Sequence, residues 1–284
     1  MKLLRYGPLG SEKPAILDAQ GCLRDLSTLI PDLSAAWLAD IGTASLATLD
    51  PHDLPRVEAG VRIGCPVAHI GKVVAVGLNY AEHAQGTSLA LPSEPILFTK
   101  ATSSICGPND DIIIPRGATK TDWEVELGVI IGQTARYVDE TDAMRHVAGY
   151  VVVNDISERA YQFERGGQWD KGKSCDTFCP VGPWLVTPDE ITNPQRLPLW
   201  LGVNGRRQQD SNTSDLIFGI AHLVSYISQF MTLFPGDLIS TGTPPGVGFL
   251  QKPAPVFLKP GDIMTLGVAG LGVQTQACRA WRAD

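Results

Sequence analysis

Short β-rich runs make up most of the chain from Lys72 onward. Runs of apolar and β-branched residues recur there, and Gly, Pro, Asn or Asp separates them. This pattern predicts strands, because β-branched side chains favour the pleated conformation and the separating residues favour turns. The predicted strands are Val73–Val76, Ile96–Phe98, Ile112–Ile114, Val125–Ile131, Tyr150–Val153, Trp184–Val186, Leu199–Val203, Leu238–Ser240, Val256–Leu258 and Ile263–Leu266.

One strong helical pattern interrupts these runs. Between Ser214 and Leu233 the apolar residues recur at spacings of three and four, which places them on one face of a helix. Ser214 is suited to the N-cap position, and Pro235-Gly236 would end the helix. Many strands with few helices predict a mainly β fold with α/β elements, in which a curled or closed β core carries helices on its outside.

The first 66 residues predict a small N-terminal β domain, and residues 67–284 predict the larger, catalytic domain. Turn residues separate the short runs of the first part, and its turn-rich stretch at 50–55 is typical of a linker. The predicted elements of the small domain are the strands Lys2–Tyr6, Pro14–Leu17 and Cys22–Arg24, and the helical pieces Leu26–Ile30 and Ala35–Ile41.

Composition narrows the class of protein. The chain has 284 residues, 44% of them hydrophobic, with 23 basic and 30 acidic residues and a formal net charge of −7. An acidic chain without a basic run is repelled by nucleic acid and by anionic membranes. Its apolar runs are far shorter than the roughly 20 residues of a membrane span, and no apolar signal segment follows Met1. We therefore expect a cytoplasmic protein with six reduced cysteines.

Two acidic residues alternate with apolar ones in the predicted strand around Val125. Because side chains in a strand point alternately to opposite faces, Glu124 and Glu126 share one face, at roughly 6.5–7 Å between Cα atoms. Two close carboxylates repel each other unless a cation neutralises them, and Mg²⁺ prefers such oxygen ligands. The alternative is an ordinary solvated polar face. Ile130 and Ile131 argue against it, because a fully apolar run is typical of a buried strand.

A third acid, Asp155, follows the apolar run Tyr150–Val153. An aspartate in this place either caps a following helix or points into a site at the end of the strand. Three acids in a chain with only five histidines favour a Mg²⁺ or Mn²⁺ site over a zinc site.

A histidine follows the first predicted strand of the larger domain. His83 has Asn79, Tyr80 and Glu82 as near neighbours in the chain. Histidine can take a proton from water near neutral pH, and a neighbouring carboxylate raises its basicity. His83 is therefore a candidate general base, with Glu82 as a candidate partner; a purely structural histidine is the alternative.

Two lysines and one loop complete the candidate chemistry. Lys100 and Lys173 lie in sequence with few other charges, and they either bind a substrate carboxylate near the acids or are simply exposed. The loop Ser240–Gly248 offers backbone N–H groups and hydroxyls that could hold a carboxylate. It lacks the Gly-Lys-Ser/Thr ending of a phosphate-binding loop, so nucleotide binding is not indicated.

Five motifs in order resemble the fumarylacetoacetate hydrolase family over about residues 72–281. They are Gly77–Ala84, Asp122–Gly128, Asn154-Asp155, Lys171–Pro183 and Ser240–Gly248. The resemblance implies a twisted β-roll or barrel core and an assembly as a homodimer or a dimer of dimers. It also implies one Mg²⁺ or Mn²⁺ per subunit, with Glu124, Glu126 and Asp155 as its ligands.

The same resemblance implies roles for other residues. His83 would be the catalytic histidine and Lys173 the active-site lysine. Many relatives have a glutamate three residues after that histidine, but Gly86 stands here, so Glu82 or another group would orient His83. The residues that we expect to bind substrate are Asn79, Tyr80, Lys100, Arg159, Gln162 and Thr243.

The activity implied is hydrolysis of a C–C bond in a 2,4-diketo acid, that is, an acylpyruvate. The layout resembles members that act on L-2,4-diketo-3-deoxyrhamnonate or -fuconate and release pyruvate and a hydroxy acid such as lactate. Ureidoglycolate lyase, oxaloacetate decarboxylase and unsaturated-diacid isomerase are alternatives at the same site. A protein that binds metal or an oxo acid without catalysis is a further alternative.

Overall fold

Residues 1–39, 46, 48–81 and 92–283 are described by the computed structural model. The strands are β1 (Lys2–Tyr6), β2 (Lys13–Leu17), β3 (Leu23–Asp25), β4 (Ile63–Gly64), β5 (Val73–Gly77), β6 (Ile96–Lys100), β7 (Ile105–Cys106), β8 (Ile112–Ile114), β9 (Thr121–Asp122), β10 (Val125–Ile131), β11 (Val147–Asn154), β12 (Ser157–Glu158), β13 (Cys179–Val186), β14 (Pro198–Val203), β15 (Arg206–Asn212), β16 (Leu238–Ser240), β17 (Ile263–Val268) and β18 (Gly272–Ala280). The α-helices are α1 (Ala35–Ala39), α2 (Arg159–Phe163), α3 (Asp170–Lys173) and α4 (Ile220–Ser228). Short 3-10 helices lie at Pro51–Asp53, Thr102–Ser104, Ala143–His146, Pro188–Glu190, Thr213–Asp215 and Gly248–Leu250.

The largest sheet has the strand order β3-β2-β1-β13-β11-β10-β16-β5-β6. Strand β10 lies inside it, antiparallel to β11 on one side and to β16 on the other. All seven residues of β10 are buried. The order begins at β3 and ends at β6, so among the described residues this sheet is open rather than a closed barrel. The predicted mainly β fold is confirmed.

A second sheet, with the order β15-β14-β17-β18-β8, covers one face of β10. Val125, Leu127 and Val129 belong to the same buried cluster as Leu201 of β14 and Leu266 of β17. Because side chains alternate along a strand, the opposite face of β10 carries Glu126, and the residue before the strand, Glu124, shares it. This cluster thus takes one side of β10, and the end of the other side that carries Glu126 faces the site.

The N-terminal strands extend the large sheet. Strand β1 pairs with β13, with Leu3 opposite Leu185. Leu3 also packs in one buried cluster with Ile130 of β10 and Leu238 of β16. The division into domains at residue 66 stays a prediction. In the part of the chain that the structure describes, none of the helices has the length and apolar character needed to cross a membrane.

The long predicted helix is shorter than its pattern indicates. Thr213–Asp215 forms a separate 3-10 turn that Asn212 caps, and α4 begins only at Ile220. Between them, Asn79 accepts hydrogen bonds from Ile217 N at 2.8 Å and from Phe218 N at 2.8 Å. These bonds replace helical ones, so Ser214 is not the N-cap of the helix.

Several other assignments differ. Val256–Leu258 is not a strand, because its backbone bonds go singly to Gly248 and Thr121. Leu26–Ile30 is a turn, closed by a bond from Leu29 N to Leu26 O. The polar edge strand β15 and the strand β18 have no counterpart among the predicted strands. Helix α1 covers Ala35–Ala39, whereas residues 40 and 41 of that predicted helix lie outside the described residues.

Candidate metal and active site

Three carboxylates meet at one end of β10. Glu124, Glu126 and Asp155 each offer an oxygen, and these oxygens lie within 4.8 Å of one another. Their relative exposures are 5%, 2% and 0%. Asp155 directly follows β11, the neighbour of β10, and its N–H donates to Glu124 O at 2.8 Å. Of the two alternatives for Asp155, the structure favours the strand-end site, because the residue before helix α2 is Glu158.

Three cationic side chains contact two of these carboxylates. Lys173 Nζ lies 2.6 Å from Glu124 Oε2 and 2.7 Å from Asp155 Oδ2. Arg159 Nη2 donates to Glu124 Oε1 at 2.6 Å, and Lys100 Nζ donates to Asp155 Oδ1 at 2.7 Å. Burial lowers the pKa of Lys173, but the charges of Asp155 and Glu124 outweigh burial and raise it above its ordinary value. Lys173 is therefore held as an ammonium ion.

Glu126 has a different environment. Its Oε2 accepts hydrogen bonds from Ser240 Oγ at 2.6 Å and from Gly242 N at 2.9 Å. Burial, followed by the charges of Asp155 and Glu124, raises the pKa of the Glu126 carboxyl well above its usual range. Burial and the two neighbouring carboxylates thus disfavour the ionised form of Glu126. A divalent cation bound among the three acids would reduce their repulsion.

Asp122 connects two parts of the site, and the sequence pattern assigned it no role. Its carboxylate accepts from Arg159 Nε at 2.9 Å, and from Gly248 N and Phe249 N at 2.7 and 3.0 Å. It also accepts from Trp123 N at 2.8 Å. One buried carboxylate therefore orients the guanidinium of Arg159 and fixes the turn that carries Phe249.

A cavity of about 240 Å³ opens over the acids. Its polar part, which we call the floor, consists of Glu124, Glu126, Arg159, Gln162, Lys173 and Thr243. Its other part, which we call the wall, consists of Val76, Gly77, Leu78, Phe98, Phe163, Trp169, Val247, Phe249 and Leu250. Arg159 Nη1 donates to Gln162 Oε1 at 3.0 Å, so these two floor residues support each other.

Three predicted substrate-binding residues do not line this cavity in the described part of the chain. Lys100 is buried behind Asp155, where it also donates to the carbonyls of Ile156 and Lys173. The side chain of Asn79 bonds to the backbone of Phe218 and of Thr241. Tyr80 is completely buried, and burial raises the pKa of its hydroxyl. Their substrate contacts stay a prediction.

Other predicted residues are placed as follows. Thr243 lies in the floor, and its Oγ1 donates to Val125 O at 2.9 Å and accepts from Gln209 Nε2 at 2.8 Å. His83, its candidate partner Glu82, and Gly86 lie outside the described residues. Their roles stay predictions.

Comparisons with known proteins show which proteins this chain resembles. Residues 72–278 match the family model described as "Fumarylacetoacetate (FAA) hydrolase C-terminal". A Burkholderia lata protein named "Putative hydrolase" is 60% identical over 279 residues, which cover 98% of this chain and 99% of that protein.

Two solved structures are similar over their whole length. The 5-carboxymethyl-2-hydroxymuconate delta-isomerase of Mycobacterium smegmatis has a TM-score of 0.77 and 32% identity, and the match covers 100% of both chains. The maleylpyruvate hydrolase of Sphingobium sp. SYK-6, solved in complex with manganese(II) ion and pyruvate, has a TM-score of 0.82 and 28% identity. That match covers 99% of this chain and 100% of the other.

Proposed function

Because the chain belongs to the fumarylacetoacetate hydrolase family, we propose that it hydrolyses the C3–C4 bond of an acylpyruvate with the help of one Mg²⁺ or Mn²⁺ ion per subunit. The observation that carries this proposal is the buried set Glu124, Glu126 and Asp155 beneath a cavity whose floor also presents Lys173 and Arg159. The manganese and pyruvate bound to a similar hydrolase support it.

The three carboxylates fit a hard divalent cation. Their oxygens are close enough to share one ion, and burial together with the charges of Asp155 and Glu124 raises the pKa of the Glu126 carboxyl, an effect that a bound cation would oppose. When bound, Mg²⁺ or Mn²⁺ would supply the charge that attracts the oxygens of a 2-oxo acid and stabilises an enolate.

The residues of the floor then have distinct tasks. Arg159, supported by Gln162 and Asp122, presents a guanidinium that suits a carboxylate. Lys173 is held charged beside the acids, where it stabilises negative charge that develops on the substrate. Thr243 lies in the same floor, where its hydroxyl already donates to Val125 O and could only accept a further bond from a substrate.

The reaction needs a base, and His83 is the residue predicted for it. His83 would take a proton from the water that attacks the C4 carbonyl. The C3–C4 bond then breaks, its electron pair passes to the pyruvate enolate, and C3 takes up a proton. The products are pyruvate and the carboxylic acid of the acyl group.

Isomerisation of an unsaturated diacid is a second candidate, which the similarity to the Mycobacterium smegmatis isomerase favours. An isomerase moves a proton within its substrate and releases no pyruvate. Pyruvate release from an acylpyruvate therefore separates the two activities. The hydroxylated acyl group of a diketo-deoxy sugar acid and the homodimer, both implied by the sequence resemblance, stay predictions.

The test is to measure pyruvate release from acetylpyruvate with Mg²⁺, with Mn²⁺ and after exhaustive chelation. We expect turnover with either metal and none after chelation. Lys173→Met should lower kcat by about 10²–10³-fold, whereas the exposed Lys171→Met should match the natural chain. Full turnover in the chelated protein, or none with any acylpyruvate, would contradict the proposal.

A further inference from the structure

Four aromatic rings form a continuous strip along the wall of the cavity. The ring centroids of Phe98 and Trp169 are 5.4 Å apart, those of Trp169 and Phe163 are 6.2 Å apart, and those of Phe163 and Phe249 are 5.6 Å apart. The rings come from β6, from the residue before α3, from α2 and from the turn after Val247. Elements that are distant in the chain thus build one surface.

This strip meets the cations of the floor at both ends. Lys173 Nζ lies 5.0 Å from the centroid of Phe98, and Arg159 Cζ lies 5.9 Å from that of Phe249. These distances are typical of cation–π contacts. A substrate whose charged end lies on the floor therefore has its other end against the rings.

The wall offers little to a polar group. Beside the four rings, the described wall consists of Val76, Gly77, Leu78, Val247 and Leu250, so the indole N–H of Trp169 is its one polar side-chain group. A hydroxyl that is placed against such a surface loses its bonds to water without a replacement. A flat apolar group instead gains contact with the rings.

The position of Trp169 is set by the backbone of β5. A Cβ atom added to Gly77 would lie 2.7 Å from Cζ3 of Trp169, which is too close for an undisturbed ring. The absence of a side chain at Gly77 therefore lets the edge of the six-membered ring of Trp169 approach the strand closely. The backbone of β5 thus leaves the space that the Trp169 ring occupies beside the cavity.

We infer that this site selects acylpyruvates whose acyl group is apolar, and best of all aromatic, over those whose acyl group is hydroxylated. The inference rests on the proposed function and adds the class of substrate. It differs from the diketo-deoxy sugar acid predicted from the sequence resemblance, whose acyl group carries a hydroxyl next to C4.

The experiment compares kcat/KM for four substrates of the full chain with Mg²⁺. They are benzoylpyruvate, propanoylpyruvate, its 5-hydroxy derivative, which is the predicted deoxy sugar acid, and acetylpyruvate as a reference. We expect benzoylpyruvate to be the best of the four. The 5-hydroxy derivative should be poorer than propanoylpyruvate by on the order of 10- to 100-fold.

Variants of the wall test the same inference. In Trp169→Ala and in Phe249→Ala, the ratio of kcat/KM for benzoylpyruvate to that for acetylpyruvate should fall by about tenfold. Phe230→Ala, which removes an exposed aromatic ring outside the wall, should keep that ratio. A ratio unchanged in both wall variants would overturn the inference.

Two outcomes separate the inference from the proposed function. An equal or higher kcat/KM for the 5-hydroxy derivative, with every acylpyruvate hydrolysed, would overturn the inference and leave the proposed function standing. An absence of turnover with all four substrates would overturn both.

Discussion

The floor and the wall of the cavity differ in burial and in charge. The floor carboxylates Glu124 and Glu126 are 5% and 2% exposed, and Glu124 is bonded to Lys173 and Arg159, whereas Phe163 and Phe249 of the wall are 44% and 38% exposed. Charges that are out of water interact strongly and hold one geometry. Partly exposed rings exchange contact with water for contact with a ligand. The floor is thus suited to catalysing the reaction, and the wall is suited to selecting the acyl group of the substrate.

The largest expected difference in stability lies between two of the three clustered carboxylates, Asp155 beneath the floor and Glu126 in it. Without metal, Asp155→Asn should lower the free energy of unfolding by about 3–5 kcal/mol, because it removes a charge that partners the buried Lys100 and Lys173. Glu126→Gln should cost far less, because burial and the charges of Asp155 and Glu124 outweigh the attraction of Lys173 at Glu126, and the amide oxygen can still accept from Ser240.

Urea unfolding of both variants in EDTA measures this difference. Asp139→Asn, at an exposed position, is the matched control and should unfold like the natural chain. Equal losses of stability in Asp155→Asn and Glu126→Gln would contradict this account, in which Lys100 and Lys173 stabilise the charge of Asp155 far more than any cation stabilises that of Glu126.

Asp122 links the floor to the wall, so its removal should affect both. In Asp122→Ala, Arg159 and the Phe249 turn lose a shared acceptor, and we expect KM for acetylpyruvate to rise by about tenfold or more, with a smaller change in kcat. Asp122→Asn keeps an acceptor oxygen, so its KM should lie between that of Asp122→Ala and that of the natural chain.

Steady-state kinetics on both variants provide the measurement. A purely structural role for Asp122 would lower the fraction of folded enzyme and hence kcat, and it would leave KM unchanged. That result would remove Asp122 from the positioning of the floor.

The smallest effect is expected at the wall. Gly77→Ala should push Trp169 away from β5 and change the preference for benzoylpyruvate over acetylpyruvate by a few fold. Kinetics with both substrates detect the change, because a general loss of folded enzyme would lower kcat/KM for both substrates alike and leave their ratio unchanged. If Gly77→Ala leaves this preference unchanged, the position of the Trp169 ring does not determine which acyl group the site accepts.

The acidic pair of the floor could be predicted from the sequence, because alternation along a strand is local. Glu124 and Glu126 share a face for the same reason that Val125 and Leu127 share the other. The role of Asp122 could not be predicted in this way. Its partners Arg159 and Gly248 are 37 and 126 residues away, and only the fold brings them together.

Prediction of the secondary structure from the sequence has the same limit, because it uses only local patterns. Central strands such as β10 are mostly apolar and easily recognised, whereas β15 (Arg206–Asn212) is polar and lies at the edge of its sheet, so its sequence is typical of a loop. The periodicity from Ser214 to Leu233 predicts a single helix, but bonds from Ile217 and Phe218 to Asn79 interrupt it. Tertiary partners override local preference in both places.

The central claim is that Glu124, Glu126 and Asp155 hold one divalent cation. Calorimetric titration of the metal-free protein with Mn²⁺ tests it directly, with Glu126→Gln as the variant and Asp139→Asn as the control. We expect one ion per chain in the natural protein and in Asp139→Asn, and a large loss of affinity in Glu126→Gln. Binding in Glu126→Gln with unchanged affinity and stoichiometry would contradict the claim.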